Sequence, residues 1–135
     1  MTQQQSHANE SRLQRGHRKL AEIDGHAGEQ VIASLAEIAP DFANYVLEFP
    51  FGDIYSRPGL DLRGREIATI AALTAMGNAA PQLKVYIEAG LNVGLSRDEI
   101  VEVIMQMAVY AGFPAALNGL SAAKEVFARR ADSPD

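Results

Sequence analysis

A carboxyl at position 66 is the side chain best placed to do chemistry. Its neighbours at helical steps of three, four and seven residues are Thr69, Ile70 and Leu73, so the stripe that carries Glu66 looks inward. Burial disfavours the charged form of a carboxyl, which is how such a group comes to pass protons near neutral pH. The same position would also suit a structural pair with Arg63 or Arg65 that ties the helix to a neighbour. On the residues alone both readings stay open.

Five further side chains fall where they could assist. Glu102, Gln106 and Tyr110 follow one another at four-residue steps, drawing one polar line down an otherwise apolar helix. Glu102, near the helix start, reads as solvent-exposed. Gln106 and Tyr110 lie deeper among methionines and valines, need hydrogen-bond partners if buried, and suit the lining of a pocket. Tyr86 falls on the inward stripe Leu83, Tyr86, Ile87, Gly90 and Leu91, opposite Lys84 and Glu88, which read as a solvated four-residue pair. Its ring belongs to the core, while its hydroxyl needs a partner and would serve as a proton donor beside a carboxylate. Arg57, with Tyr55, stands in FPFGDIYSRPGLD, where a planar guanidinium can hold a substrate carboxylate through two hydrogen bonds. A plain surface arginine fits that position equally well.

Much other chemistry is excluded. The chain has no cysteine, which removes disulfides, thiolate catalysis and cysteine-ligated zinc. His7, His17 and His26 all precede the core helices, and no pair has the spacing of a metal-binding helix face such as HExxH, so no metal centre is expected. No nucleophile elbow, phosphate-binding loop or dinucleotide fingerprint occurs, and no cofactor is called for. Seventeen acidic against twelve basic residues give a net charge of -5 without a basic stripe, which argues against nucleic acid as a partner. No apolar run approaches the roughly 18 residues that span a bilayer. The start of the chain also lacks the apolar core of a signal peptide, so a cytoplasmic protein without membrane contact is expected.

The elements that must position these groups are helical. At 135 residues, 47% of them hydrophobic, the length suits one domain. Residues 1–12 and 132–135 read as flexible tails around a domain over 13–131. Two helices broken near Asp24 and Gly25 are expected from Leu13 to Ala39, with Val31, Leu35 and Ile38 at helical spacing on the second. A short helical piece follows from Asp41 to Glu48. Pro50, Gly52, Pro58 and Gly59 then predict an ordered loop. Asp61 caps a helix over Leu62–Met76 that ends at Gly77. Pro81 suits the first turn of a helix reaching Val93, and Ser96 with Glu99 forms a capping box opening the next. That helix is apolar on more than one side, with Met105 and Val109 beside the stripe of Ile100, Val103, Ile104 and Met107. Such a surplus predicts a homo-oligomer. The last helix begins near Pro114 and runs to Arg130. No strand pattern occurs, so the fold class is all-α, with about six to seven helices around a central helical hairpin.

The strings FGDIYSRPGLDLRGREIATIAAL, LNVGLSRDEIVEVIMQMAVYAGFPAALNG and AAKEVF resemble the carboxymuconolactone decarboxylase family, which includes the alkyl hydroperoxidase D type of peroxidase. The resemblance runs from about Leu13 to Phe127. It implies an all-helical fold assembled into a trimer or hexamer, and a lyase that removes carbon dioxide from a small carboxylated lactone, as in aromatic degradation, without metal or organic cofactor. Glu66 matches the Glu of the family's RE motif. The peroxidase branch runs on a CxxC pair, and around Asn78 and Pro81 this chain has none, so thiol peroxidase chemistry is excluded. Many relatives resemble LKVHI where this chain reads LKVYI, which puts Tyr86 in the place of a histidine proton shuttle. Unperturbed tyrosine titrates near pH ~10, and so donates a hydrogen bond more readily than it accepts a proton at neutral pH. The alternative that this substitution leaves is a non-catalytic helical oligomer binding a small ligand in a lapsed pocket.

Overall fold

A computed structural model describes residues 9–131, all of whose regular structure is helical. The tail expectations for 1–8 and 132–135, and His7, lie outside the described residues. In order come α1 (Arg12–Ile38), α2 (Pro40–Val46), a π-helical stretch π1 (Leu47–Ile54), α3 (Leu62–Met76), α4 (Ala80–Asn92), α5 (Arg97–Ala111) and α6 (Phe113–Ala131). The packing divides between Leu60 and Asp61 into two compact units.

In the first unit, α1 begins at Arg12, one residue ahead of the expected boundary. Ser11 caps it: the Ser11 hydroxyl accepts from the Gln14 amide, while the Gln14 side chain accepts from the Ser11 amide. The break expected near Asp24 is present at Gly25, whose φ of 58° and ψ of -137° leave the helical region. The stretch from Leu47 to Ile54 is the main correction to the sequence reading, being wound as a π-helix where Pro50 and Gly52 predict a loop. Its wide turn closes through the Tyr55 amide, which donates to the Pro50 carbonyl five residues back at 2.7 Å.

The winding is fixed by α1 rather than by local preference. A Cβ at Gly16 would overlap the Leu47 carbonyl, and one at Gly52 would lie 2.6 Å from the Arg12 carbonyl oxygen, so two backbones touch where only glycine fits. Arg15 Nε donates to the Gly52 carbonyl at 2.6 Å, and both Arg12 and Arg15 bond the Asp53 carboxylate. These bonds, those from Arg12 foremost, hold the Asp53 carboxyl below its ordinary value.

The second unit is a four-helix assembly whose boundaries follow the caps. Asp61 Oδ1 accepts from the Gly64 amide at 2.7 Å, and Gly77 ends α3 in the left-handed region. Pro81 sits in the first turn of α4. The capping box of Ser96 and Glu99 is complete, with both bonds made. Gly112 turns the chain from α5 into α6, which starts at Phe113. Ile70 of α3, Leu83 and Ile87 of α4, Ile100 and Ile104 of α5, and Val126 of α6 form the core between them.

One surface expectation is overturned. Lys84 and Glu88 do not pair with each other. Lys84 bridges to Glu125 and Glu88 to Arg130, tying α4 to α6, because both partners lie across a packed helix rather than one turn along the same one. The surplus of apolar surface on α5 is real: Met105 and Val109 stay exposed, as do Phe113 and Leu117 at the start of α6. Among the described residues no helix is long and apolar enough to cross a membrane.

Candidate active site

Glu66 lies on α3 one turn beyond the Asp61 cap, and its side chain is wholly buried, at 0% exposure. The helix places it there by period alone, since Glu66, Ile70 and Thr74, each four residues from the next, are the buried residues of α3. The other two expected neighbours, Thr69 and Leu73, flank this line and are half-buried. Thr69 turns its hydroxyl back to the Arg65 carbonyl of its own helix, at 2.9 Å. Arg63, one of the two candidate structural partners, is committed elsewhere, forming an ion pair with Glu99 at the start of α5.

The remaining predicted residues divide between the units. Tyr86 is half-buried on α4, beside the buried Leu83 and Ile87 of its stripe. Gln106 and Tyr110 are exposed on α5, Tyr110 at 79%, next to the exposed Met105 and Val109. Glu102 is exposed as expected. The second unit therefore carries Glu66, Tyr86, Gln106 and Tyr110, the carboxyl enclosed and the last two on the surface. Arg57 and Tyr55 belong to the first unit. There Tyr55 stacks on Phe51 with ring centroids 5.3 Å apart, and Arg57 has an exposed side chain just after π1.

Two buried polar residues escaped the sequence reading. Thr74 is 1% exposed and closes the Glu66 stripe at the C-terminal end of α3. The signal was the spacing itself, continued one further step of four beyond Ile70. Asp24, at the bend of α1, is 7% exposed, and its place beside a helix break hid its burial. No group of three or more His, Cys, Asp or Glu side chains that could hold a metal ion occurs among the described residues. His17 and His26 are exposed on α1.

The described residues thus form an all-helical scaffold with an enclosed carboxyl on α3, in a chain without cysteine. The chain belongs to the carboxymuconolactone decarboxylase family, whose sequence pattern matches residues 40–125. Among its relatives, a 4-carboxymuconolactone decarboxylase of Acinetobacter baylyi is 36% identical over 96 residues, covering 71% of each chain. An uncharacterized 15.0 kDa protein of Paracoccus denitrificans, encoded between nqo9 and nqo10, is 35% identical over 96 residues, 70% of this chain and 72% of its own. A nitrosuccinic acid decarboxylase of Metarhizium robertsii is 28% identical over 75 residues, 56% of this chain and 52% of its own.

Proposed function

We propose that the protein is a cofactor-free carboxy-lyase acting on a small carboxylated lactone or related ring. The observation that carries the reading is the complete burial of Glu66 on a helix of the family's matched region. Two relatives named as decarboxylases support the reaction type. In that reaction the bond between the ring carbon and the carboxylate carbon breaks, carbon dioxide leaves, and the electron pair stays behind as an extended enolate. A proton must then reach the ring carbon. A carboxyl can deliver that proton, and Glu66 is the one that α3 holds inside the helix packing.

In this reading Glu66 donates the proton and Tyr86 supplies a hydrogen bond or a second proton from its phenol. Arg57 and Tyr55 take the substrate carboxylate, and Gln106 and Tyr110 shape the pocket. Because Gln106 and Tyr110 stand on the exposed, partly apolar face of α5, the pocket they line is completed by another copy in a homo-oligomer, a trimer or hexamer. The test is carbon dioxide release from 4-carboxymuconolactone by the purified protein. Glu66→Gln is expected to lower turnover by about 10²–10⁴-fold, the usual worth of a positioned proton donor. Unchanged turnover would remove Glu66 from the reaction.

The second reading, a ligand-binding oligomer that has lost turnover, is favoured by one residue, the tyrosine at position 86. Tyr86→His separates the two. A gain of decarboxylation in the variant supports the lapsed enzyme, whereas loss of an activity present beforehand makes the tyrosine itself the working group.

A further inference from the structure

At the junction of α3, α4 and α6 lies a small cavity lined in part by Thr74, Gly77, Ala79, Ala80, Asn118 and Gly119. Thr74 is 1% exposed, and its hydroxyl oxygen has no hydrogen-bond partner among the described residues. The side chain points at Gly119, where an added Cβ would stand 2.9 Å from the threonine methyl and 3.3 Å from the hydroxyl oxygen. Glycine at 119 thus lets α6 approach Thr74 and also Ile104, whose Cγ2 would lie 2.8 Å from such a Cβ. The opposite wall is the start of α4, whose N-cap is Ala79, a residue with no side-chain oxygen to offer. The first amides of any helix lack an intrahelical acceptor, and serine, threonine or aspartate ordinarily supplies one at that position. Pro81, the second residue of α4, has no N–H, so Ala80 is the residue that brings a first-turn amide to this lining, beside the Thr74 hydroxyl.

We propose that this cavity is a binding site for a single water molecule, which accepts from the Ala80 amide, exchanges a hydrogen bond with the Thr74 hydroxyl and so serves as the cap that Ala79 cannot provide. Size decides the ligand class. The space measures about 10 Å³, which is about one water. Chemistry agrees, since a bound water needs two to four polar partners, and the Thr74 hydroxyl and the Ala80 amide supply two. The site is separate from the proposed proton donor. Thr74 is eight residues beyond Glu66 on one helix, roughly 12 Å along its axis.

Magnetisation transfer from water in the intact protein tests the site. A long-lived water contact to the Ala80 amide is expected. It should be lost in Thr74→Val, which keeps the shape and removes the hydroxyl, and be kept in Thr74→Ser. A dry cavity in the unsubstituted protein overturns the proposal, as does a water contact that persists unchanged in Thr74→Val. Should Thr74→Val not fold, absence of the contact in the Thr74→Ser protein overturns it equally.

Discussion

Apart from Asp24, enclosed at the bend of α1, the two units place their polar groups differently. In the first, charged side chains sit at the surface and clamp an unusual piece of backbone: Arg12 and Arg15 reach Asp53 and the Gly52 carbonyl, and π1 is held against α1. In the second, the surface pairs are ordinary, and the unusual polar groups, Glu66 and Thr74, lie inside the helix packing. Polarity at a surface is inexpensive and serves geometry, whereas a carboxyl or hydroxyl removed from water carries a free-energy cost that a fold sustains when it is bonded or used. The contrast sets a surface clamp on backbone in the first unit against enclosed polar groups in the second.

That division can be broken by substitution. The largest effect is expected from Glu66→Gln, whose loss of turnover corresponds to about 3–5 kcal/mol of transition-state stabilisation. Its melting temperature should move far less than its rate. A fall in stability large enough to explain the lost activity would make Glu66 a structural residue and erase the contrast. Next comes Gly16→Ala in the first unit, where the added methyl meets backbone that has no room to yield. Denaturant unfolding is expected to show a loss of about 1–3 kcal/mol, the usual cost of overpacking. If the variant is as stable as the parent, close backbone approach does not hold π1 in place.

The smallest effect sharpens the comparison through pH. The folded-state value of Asp53 lies below the ordinary 3.8, so its bonds to Arg12 and Arg15 contribute fully above that pH and fade as pH falls through the lower, folded-state value. Melting curves of the parent and of Asp53→Asn should therefore differ slightly at neutral pH and converge in strong acid. A gap that widens in acid would contradict the sign of the shift.

Local punctuation was easy to read. Asp61, Gly77, Pro81, and Ser96 with Glu99 each act within one helical turn of themselves, so the ends of α3, α4 and α5 followed from residue type alone. The enclosure of Glu66 was legible for a similar reason, because a period of 3.6 carries it to the same face as Ile70. What escaped depends on distant partners. Pro50 and Gly52 spell a loop until α1 lies against them. Lys84 and Glu88 look like a pair until α6 brings Glu125 and Arg130 within reach. The exposure of Gln106 and Tyr110 is of the same kind, since a line of polar residues on a helix does not say what lies opposite.

Glu99 does two jobs with its two oxygens. One accepts from the Ser96 amide and starts α5, and the other meets Arg63, three residues before Glu66 on α3. A single carboxylate thereby fixes the axial register of one helix while gripping the next, and the height at which Glu66 enters the interior is set from the neighbouring helix as well as from its own. An aspartate in that place, one methylene shorter, would have to let go of one of the two.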